Sequence, residues 1–194
     1  IPISPKKQII FLGALLIGIL IPFGSIYLIL LFNTKIQLKQ DVEELNIGAS
    51  VIGELPLIDD NESKLFQNPK DRNTLAESFR ILTSNVNYLL PQNTGTTDGK
   101  VILSTSSIKG EGKSFVALNL SLSLSSLDKK VLLIGADLRN PQLHKYLGID
   151  KSQEGLTSYL HNTDFDWKKS ILNKFEHLPK HNTLLTGLIP PNAT

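Results

Sequence analysis

The chain has 194 residues, a formal net charge of +2 and no Cys. This length allows about one ordinary domain with appendages. The lack of Cys excludes a disulfide framework and any site built on a thiolate, and so small a charge gives no support for a nucleic-acid partner. Because the chain begins at Ile1, contains no Met and ends in a Pro-Pro-Asn-Ala-Thr loop, we expect it to be part of a longer protein.

The first predicted element is an apolar helix near the amino terminus. Residues 9–32 form a run of 24 residues without a single charge. As an α-helix this run would be about 36 Å long, enough to cross a hydrocarbon core of about 30 Å with some tilt. Core helices of soluble proteins are rarely this apolar over such a length, and no small-residue cleavage site follows. The run therefore favours a transmembrane helix over a core helix or a cleaved signal peptide.

Residues 33–70 have the composition of a juxtamembrane linker. A short helix is predicted at 41–45, a short strand at 51–56 and a polar loop at 59–64. A longer helix is then predicted, because apolar residues recur at helical spacing at 75, 79, 82, 86 and 89 or 90. Asn73 or Thr74 can cap its start and Pro91 ends it, and we expect its apolar stripe to pack on a sheet.

A glycine-rich loop follows the next apolar run. Residues 101–105 are predicted to form a strand that leads into the sequence Gly110-Glu-Gly-Lys-Ser114. Glycines let backbone N–H groups turn towards phosphate oxygens, the lysine reaches the outer phosphates, and the serine begins a helix and can bind Mg²⁺. The P-loop pattern requires glycine where Ser107 stands, so the match is incomplete.

A second apolar strand is predicted at 131–136, after a helix over 114–127, and it leads to Asp137 and Arg139. Continuous apolar strands alternating with helices indicate an α/β domain with a doubly wound parallel sheet, whose ligands bind at the carboxyl ends of the strands. Both motifs lie at that edge, so together they predict a nucleotide site. Charge does not orient the apolar helix, since two lysines lie on either side of it. ATP and Mg²⁺ are cytoplasmic, so we expect residues 33–194 to lie inside the cell.

Further short motifs occur in order along nearly the whole chain: Pro2–Pro5, Asn33–Ile36, Gly53–Pro56, Ala76–Arg80, Leu138–Pro141 with His144, Gly155–Leu160 and Leu184–Asn192. In order and spacing they resemble the bacterial tyrosine kinases that are fused to polysaccharide co-polymerases, within the MinD/ParA-like branch of P-loop ATPases. The resemblance implies a partial doubly wound parallel-sheet P-loop domain preceded by one transmembrane helix. It places the end of an external region at 1–8, the transmembrane helix at 9–32, a cytoplasmic linker at 33–70 and a kinase domain, truncated at its carboxyl side, at 71–194.

The resemblance implies a protein-tyrosine autokinase of the bacterial inner membrane that uses ATP and Mg²⁺ and regulates the polymerisation and export of exopolysaccharide or capsule. Its partners would be its own subunits in a ring-like homo-oligomer, the proteins of polysaccharide polymerisation and export, and the membrane, with no nucleic acid. Nucleotide binding would fall to Lys109, Gly110, Glu111, Gly112, Lys113, Ser114 and Phe115. Catalysis would fall to Lys113, Asp137 and Arg139, Mg²⁺ binding to Ser114 and Asp137, and subunit contact to Glu77 and Arg80.

Three departures from the family pattern bear on activity. Gly135 stands where the family has the first acid of an Asp-x-Asp-x-Arg element, and Thr83 stands where a Glu-x-x-Arg-x-x-Arg motif ends in Arg. The strand with the Walker B acid and the tyrosine cluster of the family are expected beyond Thr194. We therefore expect these residues alone to bind nucleotide weakly and not to turn it over.

Two other functions are open at this point. Gly135 supports a pseudokinase, a structural co-polymerase subunit that acts by assembling. A partition-type ATPase is disfavoured by the apolar helix and by Ile108, which occupies the position of that class's signature lysine. The four histidines (His144, His161, His177 and His181) lack metal-site spacing, and no histidine at a recognisable elbow supports the serines of 104–126 as nucleophiles.

Overall fold

A computed structural model describes residues 6–33, 35–36, 38–45, 47–58, 65–66, 68–90, 99–150 and 153–188. Several predicted features lie outside these ranges: the motif at 2–5, the loop at 59–64, the helix stop at Pro91 and the end of the motif at 184–192. The chain divides after Val51 into two compact units.

Among its described residues, the first unit contains two helices, α1 (Lys7–Leu31) and α2 (Lys39–Glu44). Helix α1 is long and apolar enough to cross a membrane by length and composition, and none of its residues is buried. Helix α2 begins where the Leu38 N–H donates a hydrogen bond of 2.9 Å to the Asp41 carboxylate. Both predicted helices are confirmed, with boundaries shifted by a few residues.

The second unit begins with a segment that packs along a helix. Helix α3 (Thr74–Leu89) starts at Asn73, whose side-chain oxygen accepts a 2.7 Å hydrogen bond from the Ala76 N–H, as predicted for a cap. The strand predicted at 51–56 is wrong. The Ile52 carbonyl accepts a hydrogen bond from the Asn85 side chain at 2.7 Å, and this segment therefore runs beside α3 rather than in a sheet.

Helix α4 (Lys113–Ser126) forms the centre of this unit, between α3 and the sheet. The apolar stripe of α3 packs on α4, whereas we expected it to pack on the sheet, because α4 already covers the sheet there. Packing on two sides buries the leucines of α4 and also Ser121, Ser123 and Ser125. Ser123 Oγ accepts a 2.8 Å hydrogen bond from Thr83 Oγ1, and Ser121 Oγ donates to the Leu118 carbonyl, whereas Ser125 Oγ has no hydrogen-bond partner within the described ranges.

The sheet is mixed and has three strands in the described part of the chain: β1 (Val131–Ile134), β2 (Ile171–Leu172) and β3 (His181–Leu184). Their order is β1-β3-β2; β1 pairs parallel with β3, with Val131 opposite His181, and β2 pairs antiparallel with β3. Helices α5 (Leu143–Leu147) and α6 (Leu156–His161) and a 3-10 helix at Trp167–Ser170 lie between β1 and β2 along the chain. The α/β class is confirmed, and the strand predicted at 131–136 is present in shortened form.

The strand predicted at 101–105 is wrong for this structure. These residues pair with no strand, and Val101 and Leu103 are 93% and 82% exposed. They line a cavity of about 1030 Å³ whose wall also includes β1 and one side of α4. The edge of β1 away from β3 pairs with no strand within the described ranges, so residues 101–105 have no neighbouring backbone to bond with.

Candidate nucleotide site

The glycine-rich loop is shaped by two residues with positive φ. Gly110 has φ 98° and Gly112 has φ 87°, a left-handed backbone that side chains other than glycine rarely adopt. A Cβ atom at either position would meet nothing within 4 Å, so backbone conformation rather than crowding requires glycine here. Gly112 is also the residue before α4, and the backbone N–H groups of the helix's first turn are left to bind an anion.

Side chains in and beside the loop form hydrogen bonds with backbone groups of the same segment. The Glu111 carboxylate accepts a hydrogen bond of 3.1 Å from the Ile108 N–H, and Ser106 Oγ donates to the Ile108 carbonyl at 3.0 Å. Ser104 Oγ donates to the Lys113 carbonyl at 3.2 Å. These hydrogen bonds hold the loop in place before the first turn of α4.

The remaining predicted nucleotide ligands lie on both sides of this loop. Lys109 is exposed, whereas Ser114 and Phe115 are half-buried in the first turn of α4. The Phe115 ring packs edge-to-face on Phe79 of α3, with 5.8 Å between the ring centres. Phe115 therefore packs the start of α4 against α3, and its part in nucleotide binding stays a prediction.

The loop lysine and the strand-end acid meet. Lys113 Nζ lies 3.2 Å from Asp137 Oδ2, and their side chains are 30% and 28% exposed. The other oxygen, Oδ1, accepts a 2.9 Å hydrogen bond from the Asn140 N–H. That backbone hydrogen bond, followed by Lys113, holds the pKa of the Asp137 carboxyl below its usual range against the opposing effect of burial. The site therefore contains an ionised carboxylate beside the lysine.

Arg139 and Gly135 flank Asp137 with different surroundings. The Arg139 side chain is exposed, two residues beyond the acid. Gly135 is buried, and its carbonyl accepts a 2.8 Å hydrogen bond from Thr186 Oγ1. A Cβ atom at 135 would lie 3.0 Å from that hydroxyl and 3.1 Å from the Thr186 N atom. Thr186 thus fills the space beside Gly135; sequence reasoning assigned it no role, although it lies in the motif that follows β3.

The residues present fit a Mg²⁺-bound nucleotide better than a metal held by protein alone. No three His, Asp or Glu side chains of the described residues lie together as a metal site. Ser114 and Asp137 offer one hydroxyl and one carboxylate, which suits Mg²⁺ because this ion takes most of its ligands from water and phosphate. The positive-φ glycines at the start of α4 supply the matching cradle for phosphate.

Arg80 contacts its own chain. Its guanidinium donates to Glu77 at 2.6 Å, to the Pro69 carbonyl at 2.8 Å and to the Asp71 carbonyl, and its central carbon lies 5.5 Å from the centre of the Phe66 ring. These contacts fix the segment before α3. A role of Glu77 and Arg80 in binding a neighbouring subunit stays a prediction.

No protein-family model matches the chain. Among curated proteins it is 30% identical over 205 residues to EpsB of Ralstonia nicotianae, covering 100% of this chain and 26% of that protein. It is 26% identical over 211 residues to the tyrosine-protein kinase Wzc of Salmonella typhi, covering 99% of this chain and 28% of Wzc. The chain thus spans about a quarter of the length of these relatives.

The chain is also similar to solved structures. The kinase domain of the Escherichia coli tyrosine kinase Etk superposes with a TM-score of 0.64 at 26% identity, over 80% of this chain and 61% of that chain. The chimerical protein CapA2B2 superposes with a TM-score of 0.62 at 29% identity, over 80% of this chain and 63% of that chain. The chain is therefore a homologue of the bacterial tyrosine-protein kinases and corresponds to a segment of their length.

Proposed function

We propose that these residues belong to a membrane-anchored protein-tyrosine autokinase that uses ATP with Mg²⁺ to regulate the polymerisation and export of a surface polysaccharide. The observation that carries the proposal is the approach of Lys113 to Asp137 at the start of α4, beside a loop with two positive-φ glycines. Homology to tyrosine kinases over nearly the full chain supports phosphoryl transfer from the nucleotide to tyrosine as the reaction of this site.

Each residue has a part in this chemistry. The backbone of Gly110–Lys113 holds the phosphates, Lys113 neutralises their outer oxygens, and Ser114 and Asp137 hold Mg²⁺. When bound, Mg²⁺ stabilises the negative charge on the transferred phosphoryl group. Arg139 is exposed at the mouth of the site, where its cation can contact an incoming tyrosine segment or phosphate. The tyrosine would come from a neighbouring subunit of a ring-like oligomer.

The remaining organisation is proposed on the same basis. Helix α1 anchors the protein in the inner membrane, residues 1–8 end an external region, and residues 33–194 lie in the cytoplasm with the kinase domain from 71 onward. The absence of charge over 9–32 supports the anchor. The polymerisation and export proteins of the polysaccharide would be its partners.

We also propose that the sheet is doubly wound in the whole protein, through a further strand between residues 101–105 and β1. The cavity of about 1030 Å³ separates these two segments, and it is lined by apolar side chains of both segments and of α4. The solved kinase domain of Etk is longer, since the matched part amounts to 61% of it. A strand in this place would pair with β1 and would give residues 101–105 the backbone partner that they lack here.

A structural subunit without kinase activity is the second candidate. It is favoured by Gly135, where the family has an acid, and by Thr186, whose hydroxyl and backbone N atom fill the space into which a side chain at 135 would point. Such a subunit would bind nucleotide poorly and would act through assembly.

The deciding experiment supplies labelled ATP and Mg²⁺ to the full-length protein in detergent and measures phosphotyrosine. Lys113→Met removes the loop lysine, and Lys180→Met is the matched control, because Lys180 also pairs with an aspartate, Asp128 at 2.6 Å. We expect phosphotyrosine in the wild type and in Lys180→Met and its loss in Lys113→Met. A phosphotyrosine signal that is equal in all three proteins would refute the kinase proposal, whereas its absence from the wild type would favour the structural subunit.

A further inference from the structure

The ion pair between Lys113 and Asp137, hereafter the latch, occupies the lysine side chain that would otherwise contact phosphate. We propose that Asp137 competes with nucleotide phosphate for Lys113, so that binding in the absence of metal requires the latch to open. The inference rests on the proposed function of the site. It adds an autoinhibitory contact. Asp137, a proposed Mg²⁺ ligand once nucleotide is bound, opposes nucleotide binding when no metal is present.

Asp137 is the fixed member of the latch. Its Oδ1 is held by the Asn140 N–H at 2.9 Å, which leaves Oδ2 directed to Lys113 Nζ at 3.2 Å. The carboxylate lies three residues beyond the end of β1, and the bend at residues 138–140 brings the Asn140 N–H to it. Because the backbone holds the acid, opening the latch requires the lysine side chain to move.

Lys113 is the member that can move. Its backbone is fixed as the first residue of α4, but its side chain has four rotatable carbon–carbon bonds and a mobile ammonium group. The ammonium is the charge that the loop offers to outer phosphates. As long as it pairs with Oδ2, an incoming phosphate meets a neutralised lysine and a nearby carboxylate of like charge.

Partial burial makes this pair stronger than an ordinary surface pair. Both side chains are about seven-tenths covered, since 30% and 28% of them are exposed. The pair of Lys180 with Asp128 is shorter, at 2.6 Å, but Asp128 is 85% exposed. Water screens the second pair far more than the first. The chain therefore contains an internal control: two Lys–Asp pairs that differ mainly in exposure.

The test replaces each aspartate by the amide of the same shape. Asp137→Asn can keep the hydrogen bond from the Asn140 N–H while it removes the charge that holds Lys113. Asp128→Asn removes one negative charge elsewhere in the same unit, so it controls for the general attraction of an anion. Binding of fluorescent ADP to the full-length protein is measured in EDTA, since Asp137 is also a proposed Mg²⁺ ligand.

We expect Asp137→Asn to bind ADP about 3- to 10-fold more tightly than the wild type, which is within the range for a typical net hydrogen bond. Asp128→Asn should bind within about twofold of the wild type. In the absence of nucleotide, an amine-acetylating reagent followed by mass spectrometry should modify Lys113 faster in Asp137→Asn and leave the rate at Lys180 unchanged.

Two other outcomes would overturn the inference, and a third would contradict the proposed function. Wild-type binding with unchanged or weaker binding in Asp137→Asn overturns the latch and leaves the proposed function standing. Faster labelling of Lys113 without tighter binding shows an ion pair that does not compete with phosphate, which also overturns the inference. If neither the wild type nor any variant binds ADP, with or without Mg²⁺, the proposed function itself fails.

Discussion

Acid should destabilise the second unit through His181, which is fully buried in β3. His181 Nε2 lies 2.8 Å from Ser121 Oγ, and that hydroxyl donates to the Leu118 carbonyl at 2.6 Å. The serine therefore accepts a hydrogen bond from an Nε2–H, and Nδ1 carries the lone pair. Within the described ranges Nδ1 has no hydrogen-bond partner. A proton added there would be buried without an acceptor.

The magnitude follows from the pKa. Burial lowers the pKa of His181 from 6.5 to about 4. Since the depressed pKa belongs to a base, the folded state disfavours the proton: stability is complete above pH 6.5 and is lost as pH falls from there towards about 4. The whole difference is worth about 3 kcal/mol, of which about 1 kcal/mol should be lost between about pH 7.5 and 5.5.

Thermal or urea unfolding of the 194-residue chain in detergent can follow this loss through its only tryptophan, Trp167, which is half-buried. The wild type is compared with His181→Asn, which cannot titrate, and with His177→Asn, whose parent side chain is exposed. The acid-dependent loss should vanish in His181→Asn and persist in His177→Asn. If His181→Asn keeps the full pH dependence, the argument from the buried imidazole is refuted.

Three further expectations concern packing. Phe79→Ala should lower the free energy of unfolding by about 3–5 kcal/mol, because Phe79 is fully buried between α3 and α4, whereas Ile81→Ala at a 60% exposed position should change it by less than about 1 kcal/mol. Chemical denaturation measures both. Gly135→Ala should cost about 1–3 kcal/mol, because its methyl group would crowd Thr186, while Gly99→Ala, with open space around it, should stay within about 0.5 kcal/mol. Gly135→Asp should accordingly fail to raise phosphotyrosine in the assay of full-length protein, and a gain in signal would show that Thr186 yields its place.

Local signals in the sequence were sufficient for α1 to α4, whereas α5, α6 and the 3-10 helix were not predicted. The uncharged run of α1 and the capping Asn73 of α3 each depend on residues close together in the chain, and both are found as predicted. The sequence also predicted that the motifs of Lys113 and Asp137 share one edge of a sheet, since each follows an apolar run, but it did not predict their ion pair.

Features that depend on distant residues were missed. Whether 101–105 forms a strand is decided by a neighbouring backbone, and no property of Val101 or Leu103 reveals that this neighbour is missing. The position of Thr186 against Gly135 depends on how β3 lies beside β1, which periodicity does not specify. The burial of the α4 serines likewise required two layers to cover one helix.

The uncovered side of β1 has a practical consequence. Its backbone N–H and C=O groups facing the cavity are bonded to no strand of the described chain, and Leu132 and Ile134 beside them are 39% and 46% exposed. Such an edge is a template on which any extended chain can add itself, including another copy of the same molecule. A preparation limited to these residues should thus be prone to aggregate through β1, and an edge-blocking Leu132→Lys substitution is the natural remedy.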